Sequence, residues 1–418
     1  MPKLQEKACQ GTVQYLPLSP PGHPPDRGTF DSHVEQCDER GPPCANCVAR
    51  ESGGTCRYPN NSVASKRATS CSSSSETALE PPAASVPASQ RLLELELMHR
   101  WSTTTYKSIY TLPEDQPCIQ LELPRWALRH EFLLDGIFAM SALEAAICGG
   151  PEMDGAEPAM YVRAAIEYYD KGSKAFRAQL LNVSPENIHS VYMFSYMAMA
   201  INMALSQCVP DGDGNQSMLG RITMLLELFL GSSSIAVRHR ALLLDSPISP
   251  LIIRSRLLLM PAIMQPIDGA TNVALARLSS VVNGGVPIPH GNQAAKDAAS
   301  SRLKSYQNAT TNLRVCFSVG INSQMIGFCV SFPSRAGRDF TLGVKNLEPV
   351  ALFILLHWAI LLQKLGDWMW WAGSVGRRLV QEIADVLANS YPDLARTPEW
   401  RDGISWACKQ VGIQYWIK

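Results

Sequence analysis

Apolar residues recur at helical spacing along most of the chain from residue 91 onward, whereas the period-two alternation typical of strands is almost absent. The pattern therefore predicts an all-helical domain over residues 91–418. A proline near the start and glycine after the end mark several of these segments, as expected at helix boundaries. The predicted helices lie at about 124–148, 158–181, 185–204, 217–230, 235–244, 251–264, 270–282, 293–313, 349–365 and 374–390.

The first amphipathic stretch is RLLELELMHRW, which begins at Arg91. Leu92, Leu95, Met98 and Trp101 lie three residues apart and predict one apolar helix face. The stretch is too short for a coiled coil, which needs three or four heptads. We expect this face to dock on the domain that follows it, with a short dimerising coil as the alternative.

Two groups of apolar side chains could form either a core or a ligand pocket. A methionine-rich stripe on one predicted helix is typical of a core, but it could also line a pocket for a flexible lipid. Four tryptophans near the C-terminus could enclose a flat hydrophobic ligand, although helix packing explains them equally well. The stripe comprises Met193, Tyr196, Met197, Ile201 and Ala204, and the tryptophans are Trp358, Trp368, Trp370 and Trp371.

The longest apolar run, PVALFILLHWAILL, extends from Pro349 to Leu362. It is shorter than the roughly 20 residues that a transmembrane helix needs, so it predicts a buried core helix and no membrane span. The segments before the helical region have a different composition. Six prolines and little periodicity predict a disordered segment over 1–36, and serine, alanine and proline predict a flexible linker over 58–90.

Composition limits the possible partners of the protein. The chain has 418 residues, of which 46% are apolar, and its formal net charge is zero. Such a chain can bury a large core, but it has no general excess of cations for nucleic acid or membrane, so any basic surface is local. Of the 12 cysteines, seven are scattered in mostly apolar surroundings and are predicted to be small buried side chains.

Four cysteines instead cluster in CDERGPPCANCVARESGGTC, with the spacing C-x6-C-x2-C-x8-C. Thiolates at this spacing, with a C-x2-C pair, are typical of a tetrahedral zinc site. The predicted ligands are Cys37, Cys44, Cys47 and Cys56. A cysteine-rich loop without metal is the alternative.

This segment resembles the second half of the fungal zinc binuclear cluster, the Zn2Cys6 DNA-binding module, through CDERGPPCANC and the closing CRYP. The resemblance covers residues 37–57 and implies that the four cysteines occupy the third to sixth ligand positions around two zinc ions. The first C-x2-C pair and the basic run of the family are missing; Cys9 and His33 are spare donors upstream. Either a misassigned exon replaces the true start, which we favour, or this member has lost DNA contact.

The charges of this segment bear on DNA binding. Three arginines could contact phosphates, but the segment also holds Asp38, Glu39 and Glu51, which cancel their charge. Because DNA affinity rests largely on cations placed against phosphates, the predicted contact is weak. The arginines are Arg40, Arg50 and Arg57.

The helical region resembles the regulatory domain of fungal zinc-cluster factors related to the yeast sterol uptake control proteins. The blocks that carry the resemblance are HRWSTTTYKSIY, LPRWALRHEFLLDGIFAMSALEAA and LLHWAILLQKLGDWMWWAGSVGRRLVQEI. The resemblance implies self-association as a homodimer and a pocket for a hydrophobic effector such as a sterol. Many filamentous-fungal relatives regulate biosynthetic gene clusters instead.

The sequence contains only fragments of known catalytic motifs. His130-Glu131 begins like a zinc-protease motif, but Leu134 stands where the second histidine is needed. No phosphate-binding glycine loop or nucleophile elbow occurs. The sequence therefore predicts a non-enzymatic nuclear transcription regulator that binds zinc and promoter DNA, and that controls secondary-metabolite or sterol and lipid genes. The alternative is a family member without DNA contact that pairs with other regulators.

Overall fold

The structure is a computed structural model that describes residues 88–109, 112–149, 158–208, 217–257, 265–285, 293–319 and 324–414. All of them belong to one compact unit, Pro82–Lys418. Within these ranges the secondary structure is helical and no strand is formed. The expectation of an all-helical domain is therefore confirmed for the described residues. The predicted zinc module, the segment 1–36 and residues 58–87 of the predicted linker lie outside them, whereas residues 88–90 of that linker belong to the first helix.

Sixteen α-helices follow one another along the described residues. They are α1 Ala88–Thr103, α2 Leu123–Ala127, α3 Glu131–Cys148, α4 Pro158–Gln179, α5 Ile188–Cys208, α6 Met218–Arg238, α7 Arg240–Leu244, α8 Ser249–Leu257, α9 Gly269–Gly285, α10 Gln293–Ser318, α11 Gln324–Ala336, α12 Arg338–Lys345, α13 Pro349–Gly366, α14 Val375–Ser390, α15 Pro392–Ala395 and α16 Pro398–Gln410. Short 3-10 turns and one π-helical turn, Cys118–Glu122, connect α1 to α2.

The apolar helix α13 lies at the centre of the C-terminal half. Every side chain from Val350 to Leu362 is buried, and α9, α10, α11, α12, α14 and α16 all pack against it. A helix that is apolar on all sides is stable only when it is surrounded by other helices, which explains this arrangement. Helices α13 and α14 approach each other closely at Gly376, where a Cβ would lie 2.2 Å from the Gln363 backbone nitrogen and 2.5 Å from the Ala359 carbonyl oxygen.

The N-terminal half is built around α3, which packs against α1, α4 and α5. The rings of Phe132, Phe176 and Phe194 form an aromatic cluster, with centroids 4.8 to 6.2 Å apart, that links α3, α4 and α5. Gly172 allows α4 to approach α3 closely, since a Cβ there would lie 3.0 Å from the Phe132 carbonyl oxygen. Six large apolar side chains of α2 and α3 lie in this core: Trp126, Phe132, Leu133, Ile137, Met140 and Leu143.

Helix α1 docks on the domain as expected, but through a different face. Leu97 and Trp101 are fully buried, and Leu93 packs against the same core. Leu92 and Leu95 were predicted to face inward, and they are instead 67% and 62% exposed. Residues four apart fall on one helix face. Because Trp101 is buried, Leu97 and Leu93 on the same face also point into the domain, whereas Leu92 and Leu95 point away from it.

Several predicted boundaries are wrong. The helix expected over 124–148 is interrupted at His130, whose backbone is extended, so that α2 and α3 are separate. The stretch 217–230 continues without a break to Arg238 as α6. The helix expected over 185–204 begins at Ile188 and continues to Cys208 as α5.

Four helices were missed by the sequence reasoning: α11, α12, α15 and α16. Pro333 within α11 and Gly337 after it are signals of a loop, and Gly337 takes a positive φ of 89° between α11 and α12. Burial overrides these local signals, because Phe332, Phe340 and Val344 all lie in the core.

Candidate functional site

The predicted zinc ligands and DNA contacts all lie outside the described residues. They are Cys37, Cys44, Cys47 and Cys56, with Arg40, Arg50 and Arg57. Four thiolates form a donor set that suits zinc, so the chemistry of the segment fits this metal. Across the described ranges, no group of three or more histidine, cysteine, aspartate or glutamate side chains could hold a metal ion.

The scattered cysteines in the described residues are all free thiols. Cys316, Cys329 and Cys408 are buried, as expected, and burial raises the pKa of Cys316 to about 11. Cys148 is exposed, which contradicts the expectation for that residue. A thiol whose pKa is far above 7 stays protonated, so Cys316 is not a reactive nucleophile.

The four C-terminal tryptophans do not form one pocket wall. Trp358 and Trp371 are buried, and their indole N–H groups donate to the carbonyls of Cys329 at 3.0 Å and Ser108 at 2.9 Å. Trp368 is 50% exposed, and Trp370 is half-buried. The two buried rings thus act as core side chains with satisfied polar atoms, as expected for tryptophan in an interior.

The methionine stripe of α5 is also largely core. Met193, Met197, Ile201 and Ala204 are buried, while Tyr196 is half-buried. Tyr196, Met199 and Met203 line a cavity beside Trp371 whose volume is only about 10 Å³. This volume corresponds to about one water molecule, so a sterol does not fit there.

A larger cleft of about 510 Å³ lies where α14 meets the start of α6. Its charged side chains are Arg377, Arg378, Glu382 and Asp385, whose charges cancel. The volume is in the range of small-molecule sites, but such sites are mostly apolar, unlike this cleft. The sequence reasoning missed it, although the charged residues follow i, i+4 spacing on the predicted 374–390 helix, opposite Leu379, Ile383 and Leu387.

Two of the cleft's charged residues hold helix ends in place. Arg378 donates to the Ser206 carbonyl near the end of α5 at 3.0 Å, and Arg221 donates to the same carbonyl at 2.9 Å. The Glu382 carboxylate accepts from the Leu219 amide at the start of α6. A carboxylate at a helix N-terminus and a cation at a C-terminus both stabilise the helix dipole. These contacts explain the presence of Arg378 and Glu382 in the cleft without a ligand.

His357 on α13 and Trp406 on α16 each hold a buried polar atom without a hydrogen-bond partner. The Nδ1 atom of His357 lies 2.8 Å from the Phe353 carbonyl oxygen, and its Nε2 atom has no partner. The His357 ring stacks on Trp406, whose indole N–H also lacks a partner. Burial lowers the pKa of His357 to about 4, so the imidazole is neutral at pH 7. Its Nε2 lone pair is then available as an acceptor.

Three helices in the described residues are long and apolar enough to cross a membrane, judged by length and hydropathy: α5, α6 and α13. Most of the apolar window of α5 and of α13 is buried inside the fold, 78% in each, against 28% for α6. The apolar run 349–362 was correctly predicted to form a core helix. The expectation of no membrane span itself stays a prediction.

The chain matches no family model, and no curated protein sequence is similar to it.

Proposed function

We propose that this protein is a zinc-cluster transcription regulator whose residues 88–414 form a helical regulatory domain. The observation that carries the proposal is the four-thiol spacing C-x6-C-x2-C-x8-C over Cys37–Cys56, which resembles the second half of a Zn2Cys6 module. The all-helical architecture supports it, because the resemblance of residues 91–418 implies a helical effector domain. The proposed location is the nucleus, and the proposed target is promoter DNA.

The metal part of the proposal is tested by zinc content. Cys44→Ser in the full-length protein should remove bound zinc and unfold the module, because zinc binding supplies about 10 to 16 kcal/mol of folding free energy in zinc-finger peptides. Far-ultraviolet circular dichroism should retain the helical signal. Cys71→Ser, outside the cluster, is the matched control and should keep its zinc. Wild-type protein purified without zinc, or zinc retained in Cys44→Ser, would contradict the metal assignment.

The DNA part needs a separate measurement. Zinc-loaded full-length protein should select duplexes from a random-sequence pool, and the binding should weaken as the salt concentration rises. Mapping the 5′ end of the transcript tests whether an upstream C-x2-C pair and a basic run precede Cys37. If they do, DNA binding should be strong with the corrected start.

One observation favours a second function, that of an interaction partner without DNA contact. The three arginines of residues 37–57 are matched by three acidic side chains, so the segment has no net cationic charge from these groups. Zinc-loaded protein that selects no duplex from the pool, with the present start confirmed, would support this reading. Pairing with a full-length regulator would then be its activity.

The effector is proposed only as a class, a hydrophobic molecule such as a sterol, as the resemblance implies. The tryptophans and methionines give this part little support, because Trp358, Met193 and Met197 are packed in the core. Lipid extraction from the purified protein followed by mass spectrometry tests it directly. A stoichiometric lipid would support the effector class, and none at full helical content would count against it.

A further inference from the structure

Helix α6 carries an apolar stripe that the other described residues leave partly uncovered. Met224 is 68% exposed and Leu228 is 36% exposed, Gly231 is exposed, and Ile235 is half-buried. These positions are spaced by four, three and four residues, the repeat of a helix seam that packs against another helix. The opposite face of α6, which includes Ile222, Leu225 and Phe229, is buried in the core.

The stripe is widened by a neighbouring helix. Lys345 on α12 pairs with Glu227 on α6, with Nζ and Oε1 2.7 Å apart. Leu342, one turn earlier on α12 and on the same face as Lys345, is 51% exposed. Single exposed apolar residues are normal on protein surfaces, but several in helical register on adjacent helices indicate a contact surface.

The stripe is complementary to itself in one orientation. A Cβ placed on Gly231 would meet nothing within 4 Å, so this position is a gap in the helix surface. If two copies of α6 pack antiparallel about a two-fold axis between residues 229 and 230, Leu228 of one copy lies against the partner's Gly231. The same axis sets Met224 against the partner's Ile235. A large side chain therefore faces a small one at the centre of the seam, as interdigitating helices require.

The flank of the seam also suits an antiparallel pair. Glu227 and Ser234 lie on the same side of the stripe, one heptad apart, and both are exposed. An antiparallel pairing brings the Glu227 carboxylate towards the partner's Ser234, so that a hydroxyl donor faces an acceptor twice by symmetry. A parallel pairing would oppose the two Gly231 positions and leave a gap.

A lipid bilayer is a poorer partner for this surface, although α6 is long and apolar enough to span one. The ion pair of Glu227 and Lys345 lies beside the stripe, and both side chains are more than half exposed. A charged residue at the centre of a membrane helix costs about 2.5 to 3.5 kcal/mol. Burial of both charges in lipid would offset much of what the apolar stripe gains.

We propose that α6, with Leu342 of α12, forms an antiparallel two-fold self-association surface of this protein. The inference does not depend on the proposed zinc or DNA functions, and it assigns the surface through which a homodimer forms. A helix of 21 residues is about 31 Å long. A stable complex buries roughly 800 Å² per partner, so we expect a seam of a single helix to give a weak dimer that depends on concentration.

Sedimentation velocity of the full-length protein over a range of micromolar concentrations tests the proposal. The wild type should shift from monomer towards dimer as concentration rises, and Leu228→Glu should stay monomeric with unchanged circular dichroism. Met160→Glu, at a 41% exposed position on α4, is the matched control and should dimerise like the wild type. A wild type that is monomeric throughout, or a dimer that Leu228→Glu leaves unchanged, would overturn the proposal.

Disulfide cross-linking tests the orientation. A mixture of the Leu228→Cys and Gly231→Cys proteins should cross-link under mild oxidation more than either protein alone, with wild-type protein giving the background of the native thiols. If each variant cross-links with itself as well as the mixture does, the helices are parallel and the proposed two-fold axis is wrong. Because neither assay reads zinc or DNA, failure here is distinct from failure of the proposed function.

Discussion

Asp135 on α3 is a buried carboxylate whose effect on the stability of the protein should depend on pH. Its side chain is only 4% exposed, Oδ1 lies 3.3 Å from the Lys171 ammonium, and Oδ2 has no partner. Lys171 is shared with Glu131, which lies closer at 2.5 Å. Burial raises the pKa of Asp135 from 3.8 to about 6, because Lys171 compensates only in part for the lost hydration.

The sign of the pH dependence follows from this shift. Between about pH 4 and pH 6 the folded state binds a proton at Asp135 that the unfolded state has released, so the free energy of unfolding falls as pH rises. The difference of about two pH units corresponds to about 3 kcal/mol at most, since each unit is 1.36 kcal/mol. Asp135→Asn removes the charge while keeping the shape. It should therefore stabilise the protein by about 1 to 3 kcal/mol at about pH 7.5, and by about a third of that at about pH 4.5, where the unfolded state is still mostly ionised.

Urea unfolding followed by circular dichroism at the two pH values measures this difference directly. Asp170→Asn is the matched control, because Asp170 lies on the surface of α4 in an ion pair with Lys174 and should change stability little at either pH. Equal destabilisation of Asp135→Asn at both pH values would refute the reasoning. It would mean that the pKa of Asp135 is the same in the folded and the unfolded state, so that Lys171 fully offsets the cost of burying the carboxylate.

Two further predictions concern helix packing, both measured by urea unfolding. Gly376→Ala should destabilise the protein by about 3 kcal/mol or more, because the new Cβ would lie 2.2 Å from the Gln363 backbone nitrogen. Gly220→Ala on α6 is the control and should change stability little, because its Cβ would meet only the Ser217 hydroxyl at 3.4 Å. Equal effects of the two substitutions would contradict the close approach of α13 and α14. Trp358→Phe should lower the free energy of unfolding by about 1 to 3 kcal/mol, because it removes the hydrogen bond to the Cys329 carbonyl and reduces the volume packed in the core. Trp368→Phe, at a half-exposed position, should leave stability nearly unchanged. A larger loss for Trp368→Phe than for Trp358→Phe would argue against Trp358 as a core residue.

The helical periodicity was sufficient to predict the class of the domain and its most apolar elements. Helix α13 was expected over 349–365 and spans Pro349–Gly366, and α14 was expected over 374–390 and spans Val375–Ser390. Both have local signals that agree with their burial: proline at the first turn of α13, and a regular apolar face on α14. Where pattern and environment agree, sequence reasoning places an element to within one or two residues.

Elements whose local signals conflict with their burial were missed or misplaced. Pro333 and Gly337 suggest a loop, yet α11 and α12 form because Phe332 and Phe340 are buried against the core. The face of α1 was misassigned for a related reason. Leu92 and Leu97 are equally apolar, and only the neighbouring α3 determines which of them is buried.

The sequence by itself determined that the C-terminal region is helical and that four clustered thiols carry a metal-binding spacing, since periodicity and spacing are local properties. Only the tertiary structure decided which apolar side chains are core and which are surface. It placed Trp358 and the methionines of α5 inside and left the stripe of Met224 and Leu228 exposed. The physical reason is that burial depends on which helices become neighbours, and contacts between distant parts of the chain are not encoded in the period of any one helix.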